Sequence, residues 1–257
     1  MTDNHSTLFA GQVALVTGGS RGIGAATARS LAAHGSAVAV NYHHSADGAI
    51  EVVNDIQAAG GRAVAIQGDV TDPNAVNELI ARASAALGPI DVLILNAAGI
   101  ERPAMAPFLE MTQAALERVL LAQLRAVVLP ARAVAATMAT RATGSIIVVS
   151  SGLARDPRGG FSDLAIAKAA VEGAARAMAR ELGPRGIRVN IVAAGPTLTD
   201  ATDWADDSIR QRWATATPLG RNAYAEDVAS AVVLMASPLA GFCTGAYVPA
   251  NGGVIMP

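Results

Sequence analysis

The chain has 257 residues, enough for one larger α/β domain or two small ones. Apolar residues make up 52% and aromatics 4%, so a core here is built from small and branched side chains in close backbone approach. A net charge of -2 excludes recruitment to nucleic acid or an anionic membrane by bulk charge, and a single cysteine, Cys243, excludes an internal disulfide.

That cysteine fits a reducing cytoplasm and reads as a small buried apolar residue rather than a nucleophile. The first ten residues are polar and read as no signal peptide. No uninterrupted apolar run reaches the length of a membrane span.

In chain order, short apolar runs alternate with longer helical patterns. Strands are predicted at 12–17, 37–41, 63–67, 91–95, 145–150, 188–193 and 246–248. Helices are predicted at 25–34, 46–59, 73–87, 113–141, 161–182 and 225–235. Gly35 and the pair Gly60, Gly61 stop the first two helices, and Pro73 suits a first helical turn. Pro130 is expected to kink or split the helix at 113–141. The alternation predicts one Rossmann-type domain over 1–257, a doubly wound parallel sheet of about seven strands covered on both faces. Residues 197–223 are the least regular stretch and are expected to form a lid over a ligand cleft at the carboxyl edge of the sheet.

The first strand runs into Thr17-Gly-Gly-Ser-Arg-Gly-Ile-Gly24. Gly18, Gly22 and Gly24 allow a sharp turn, and the loop amides from Ser20 to Ile23 face a helix start whose positive end favours a diphosphate. The second strand ends at Asn41 with no acidic residue to accept ribose hydroxyls. Arg21, Asn41, Tyr42, His43 or His44, and Ser45 instead suit a 2′-phosphate, so NADP(H) is the expected cofactor. The two histidines have no third ligand nearby in sequence, and no metal site is expected.

These elements resemble the short-chain dehydrogenase/reductase family from about Gln12 to Gly253. The loop Thr17 to Gly24 is similar to the family's T-G-x-x-x-G-x-G, Asp69-Val70 to its adenine-holding pair, and Asn96-Ala97-Ala98-Gly99 to its N-N-A-G element. Gly195, Thr197 and Thr199, Thr244-Gly245, and Asn251-Gly252-Gly253 resemble its carboxyl-terminal elements. The resemblance implies that Ser151 binds the substrate oxygen and that Lys168, seventeen residues on, holds the nicotinamide ribose.

The departures from the family bear on the chemistry. Leu164 stands where the family has its tyrosine, four residues before the lysine. Gln123 replaces the catalytic helix asparagine, Ala194 a common proline, and Asn251 a common aspartate. The enoyl-acyl carrier protein reductases of the same superfamily place a tyrosine seven residues before the lysine; that position is Phe161 here. Phe161 and Leu164 are expected to wall the substrate pocket. The proton donor then falls to Lys168, to Ser162, Asp163, Arg102 or Arg155, or to the substrate itself. Ser162 and Asp163 read more readily as helix caps, and Arg102 and Arg155 as solvated surface.

Small residues at helical spacing, Ala165, Ala169, Gly173 and Ala177, fit internal packing and a contact between subunits equally, and a homodimer or homotetramer is expected. The leading expectation is an NADP(H)-dependent reductase of a carbonyl or conjugated enoyl group, free or acyl-carrier-bound. The rival is a catalytically silent cofactor-binding partner or scaffold. A chain that uses the fold with no cofactor is disfavoured by the intact glycine loop.

Overall fold

The computed structural model describes residues 8–99 and 106–256. In chain order the elements are β1 (Val13–Val16), α1 (Gly22–Ala33), β2 (Ala37–Tyr42), α2 (Ala46–Ala58), β3 (Ala63–Gln67), α3 (Pro73–Leu87) and β4 (Val92–Leu95). There follow α4 (Gln113–Arg141), β5 (Gly144–Ser151), α5 (Ser162–Leu182), β6 (Ile187–Ala194), β7 (Thr197–Leu198), α6 (Asp207–Ala216), β8 (Ala223–Tyr224), α7 (Ala225–Ala236) and β9 (Tyr247–Ala250).

Seven strands form one sheet in the order β3-β2-β1-β4-β5-β6-β9, and every pairing is parallel. The order reverses between β1 and β4, which opens a crevice beyond the carboxyl ends of those strands. Ser151 pairs with Ala194, and Ala194 with Ala250, so β5, β6 and β9 end level with one another at that edge.

Alternation along the strands divides the core in two. Leu15, Leu93, Leu95, Ile146, Val148 and Ile191 face one side, where α3, α4 and α5 supply Leu79, Val127, Met138 and Val171. Val16, Val40, Ile94, Ile147 and Val192 face the other, where α1, α2 and α7 supply Leu31, Ile56 and Val232. Burying each such side chain fully contributes roughly 1.5–3 kcal/mol, which is why a chain poor in aromatics still holds together. At α3 the local signals agree. Asp72 caps the helix by accepting from the amides of Asn74 and Ala75, both at 2.8 Å, and Pro73 opens its first turn.

Three sequence expectations are corrected. Pro130 does not split α4, which runs unbroken through it; the proline is buried on the core face, and tertiary packing carries the helix past the missing N–H. By length and composition α4 is apolar enough to cross a membrane, but its buried face, from Val119 to Met138, packs in the domain core. The stretch 197–223 lies outside the seven-stranded sheet and holds a helix not expected from sequence, α6, between the two-residue strands β7 and β8, which pair parallel. α6 buries no residue fully, and its apolar stripe is reduced to Ile209, Trp213 and Ala214, all half-buried. Its start is nevertheless capped by Asp206, which accepts from the Ile209 amide at 2.9 Å. Cys243 is exposed rather than buried, because it lies in the turn after α7, where its carbonyl, not its thiol, is held by Asn190.

β9 continues to Ala250 through Pro249, which an edge strand tolerates. On the opposite edge of the sheet from the crevice, Arg188 of β6 donates to the carbonyls of Met235, Ala236 and Ser237 at 2.9–3.1 Å. That fork satisfies the last carbonyls of α7.

Candidate active site

The glycine loop is shaped by contacts that no side chain would permit. A Cβ on Gly24 would lie 2.1 Å from the Gly18 carbonyl oxygen and 2.6 Å from Asn96 Nδ2. Gly18 and Gly22 take positive φ of 60° and 51°. Asn96 Nδ2 donates to the carbonyls of Thr17 and Gly18 at 3.1 and 3.0 Å. Thr17 Oγ1 accepts from the amides of Asn96 and Ala97 and donates to the Ile94 carbonyl. The end of β4, with Ala98 following, is thereby locked to the loop after β1. Thr199 closes the far side, 3.4 Å from where a Cβ on Gly22 would sit. The carboxyl-terminal segment is itself tied down: Thr197 Oγ1 donates to the Gly195 carbonyl, and Gly195 packs on Asn251 closely enough that a Cβ would meet its Cβ at 2.7 Å.

Around the end of β2 the predicted residues divide. Asn41 is buried and braces the loop: its Oδ1 accepts from the Gly18 amide at 3.2 Å, and its Nδ2 donates to the Gly68 carbonyl at 3.0 Å. It is committed to the fold rather than presented to a phosphate. Arg21, His43 and His44 are exposed, and the two imidazoles stack at 3.7 Å. Ser45 and Ser20 converge over Gly48, where a Cβ would lie 2.9 Å from Ser45 Oγ and 2.6 Å from the Ser20 carbonyl. Tyr42 accepts through its carbonyl from the Gly68 amide. Beside it, Asp69 accepts from Thr71 N and Oγ1 at 2.8 and 2.7 Å, and Val70 is buried. Burial pushes the Asp69 carboxyl up, but the two Thr71 hydrogen bonds and the neighbouring His43 and His44 outweigh it and hold it below the usual range. Among the described residues no cluster of three or more His, Cys, Asp or Glu side chains is arranged to bind a metal.

Ser151 ends β5, and its Oγ accepts from the Leu153 amide at 3.3 Å. Lys168 lies on α5 and donates from Nζ to the Val149 carbonyl at 3.2 Å. Lys168 is half-buried by area, but its ammonium lies deep in the protein mass, and that depth governs its proton affinity. Desolvation pulls its pKa down to about 8, opposed by the negative charge of Glu172. Gln123 is buried on α4, the helix that packs along α5. Phe161 and Leu164 are half-buried at the start of α5.

The other donors considered from sequence are placed as follows. Phe161, not Ser162, occupies the N-cap of α5, without a side-chain hydrogen bond. Asp163 is buried and accepts from the Leu164 amide at 2.7 Å. Arg155 is exposed, as expected, and is also paired: it donates from Nε to Glu172 Oε2 at 3.3 Å and lies 3.5 Å over the Tyr247 ring. Arg102 lies outside the described residues. The chain's three tyrosines, Tyr42, Tyr224 and Tyr247, stand on β2, β8 and β9, and none is on α5.

Two further features belong to this site. Glu172 is a buried carboxylate in a helix of small residues, and its spacing of four from Lys168 was the available signal. Lys168 is also the sole lysine, against eighteen arginines.

The parallel sheet, its switch point and the glycine-lined crevice define a dinucleotide-binding protein of the Rossmann class. Residues 18–255 match the family model described as enoyl-(acyl carrier protein) reductase, and the chain belongs to the short-chain dehydrogenase/reductase family. It is 40% identical over 245 residues to cis-4-hydroxycyclohexanecarboxylate dehydrogenase of Sinomonas cyclohexanicum, covering 95% of this chain and 97% of that one. It is 37% identical over 243 residues to 3-oxoacyl-acyl-carrier-protein reductase of Staphylococcus aureus, covering 95% and 98%. A short-chain dehydrogenase from Burkholderia cenocepacia, solved in complex with NADP, superposes with a TM-score of 0.86 at 38% identity, over 96% and 99% of the two chains.

Proposed function

We propose that this chain is an NADP(H)-dependent oxidoreductase that reduces a carbonyl or conjugated enoyl group, on a small molecule or an acyl carrier, without a tyrosine proton donor. The observation that carries it is the cradle at Gly18, Gly22 and Gly24, too tight for any Cβ at Gly24 and braced by Asn96. Dehydrogenase and reductase relatives, and a neighbour bound to NADP, support the same reading.

The loop amides from Ser20 to Ile23 would take the diphosphate, with Gly195, Thr197 and Thr199 closing over the other side. Asp69 and Val70 would border the adenine. Arg21, His43 and Ser45, with Asn41 rather than an acid at the end of β2, would favour a 2′-phosphate. When bound, the reduced nicotinamide supplies hydride, and positioning is the protein's main contribution to that step. Ser151 would hydrogen-bond the substrate oxygen, Lys168 would hold the ribose hydroxyls, and Gln123 would support that side from α4. Phe161 and Leu164 would wall the pocket and exclude water. The segment 197–223 would act as its lid. We place this single domain in the cytoplasm as a homodimer or homotetramer, with no nucleic-acid or membrane partner.

The test is titration with NADPH and NADH, followed by panels of ketones and enoyl thioesters. Tighter binding of NADPH and turnover that falls at least a hundredfold in Lys168→Ala support the reading. Tight binding with no turnover on any panel overturns it. That outcome supports the second reading, a cofactor-binding partner without activity, which Leu164 and Phe161 favour by supplying no phenol.

A further inference from the structure

Beside the end of β5 a buried carboxylate, Glu172, is paired with two arginines that reach it from the surface, an arrangement that cofactor binding does not call for. Glu172 sits one turn after Lys168 on α5, with its side chain only 4% exposed. Residues four apart share a helical face, so both turn toward β5. Ser150, the neighbour of Ser151, donates from Oγ to Glu172 Oε1 at 3.0 Å. Arg155, from the short turn after β5, donates to Oε2 at 3.3 Å, and Arg176 lies 3.7 Å from the same oxygen. The titratable and charged groups facing Glu172 are therefore Lys168 and Arg176 on α5, Arg155 from the turn, and Tyr247 from β9; β5 adds the neutral Ser150.

We propose that Glu172, one turn along the same face of α5, keeps Lys168 cationic while the Val149 carbonyl directs its ammonium at the carboxyl end of β5, and that Lys168, in place of a phenol, delivers the proton to the substrate oxygen. The donor half rests on the reductase reading; Glu172's hold on Lys168 does not. In the reduction, the carbonyl carbon takes hydride from the reduced nicotinamide, and the π electrons of the C=O bond pass to oxygen. That oxygen takes a proton from Nζ, the lysine is left as a neutral amine, and water reprotonates it. A desolvated ammonium on its own sheds its proton readily, and an anion on the same helical face is what restores the charged form. The direction of the Glu172 effect on Lys168 agrees with this.

The sole lysine makes the test direct. Labelling with ζ-15N lysine gives one side-chain signal, which is titrated in the protein without cofactor. Glu172→Gln removes the charge while keeping the shape. The lysine midpoint is expected to fall by about one unit, leaving roughly tenfold less protonated lysine above it. Arg155→Met takes a cation away from Glu172 and is expected to raise the midpoint; if Glu172→Gln fails to fold, this variant decides alone. The kcat of the wild type is expected to fall as pH rises through the lysine midpoint, and that limb to move with each variant while KM for NADPH stays within twofold. A midpoint unmoved by the variants overturns the proposal. A midpoint that moves while the kcat limb does not overturns Lys168 as donor and upholds Glu172's hold on it. A wild type that shows the midpoint shifts but no turnover sinks the reductase reading and leaves that hold standing.

Discussion

Gly24→Ala is the sharpest perturbation of the cofactor cradle. The added methyl would sit 2.1 Å from the Gly18 carbonyl oxygen and 2.6 Å from Asn96 Nδ2, where contacts near 3.4 Å are ordinary. The loop must retreat by more than 1 Å, because Gly24 is fixed in the first turn of α1 and cannot yield alone. That retreat stretches the 3.0 Å bond from Asn96 to the Gly18 carbonyl past any useful length. Overpacking costs about 1–3 kcal/mol and the lost hydrogen bond about 0.5–1.5 kcal/mol. A domain of this size is expected to stay folded, with Tm lowered by roughly 3–18 °C. NADPH affinity, read by calorimetric titration, is expected to drop about a hundredfold, since a displacement of this order removes the amides from the diphosphate. Gly159→Ala, where a Cβ meets nothing within 4 Å, is the control and is expected to leave both readings unchanged. Wild-type Tm and wild-type affinity in Gly24→Ala would refute the close-approach reasoning.

Other consequences can be checked independently. Ile147 is wholly buried on the α1–α7 face, and Ile147→Ala is expected to cost about 2–5 kcal/mol in chemical denaturation. Arg188→Lys removes a fork that serves three α7 carbonyls and Ser145 Oγ, at about 2–3 kcal/mol, and hydrogen exchange should show α7 opening first. Lys168 has a folded-state pKa of about 8, below its ordinary 10.5, so the folded protein binds fewer protons than the unfolded chain between those values. Its contribution to stability therefore rises with pH from about 8 toward 10.5, and is least favourable below 8. Lys168→Met is expected to gain stability at pH 7 relative to wild type, with the advantage shrinking through that window. A variant equally stable relative to wild type at pH 7 and pH 10 would count against the desolvated lysine.

The strands and their parallel winding were legible, though not their order in the sheet, because each buried run is short, apolar and bounded by turns. Residues 37–42 and 187–194 carry their own signal, and right-handed crossovers fix the winding. The cradle was legible for a related reason: Gly18, Gly22 and Gly24 are required by backbone geometry that local sequence encodes. α6 was not, because its half-buried side is short, Ile209, Trp213 and Ala214, and the cap at Asp206 is its clearest signal. Asn41 was read as a ligand group because the sequence shows its chemistry and not its direction; it points inward and ties β2 to the loop. The Arg155, Glu172 and Tyr247 cluster joins a turn, a helix and an edge strand that only the sheet brings together, so no local pattern contained it.

The scarcity of lysine has a practical side. Acylating reagents, aldehyde fixatives and amine-coupling resins have a single side chain to find, and it is recessed on α5 beside β5. Immobilisation through exposed carboxylates or the Cys243 thiol therefore leaves that side chain untouched.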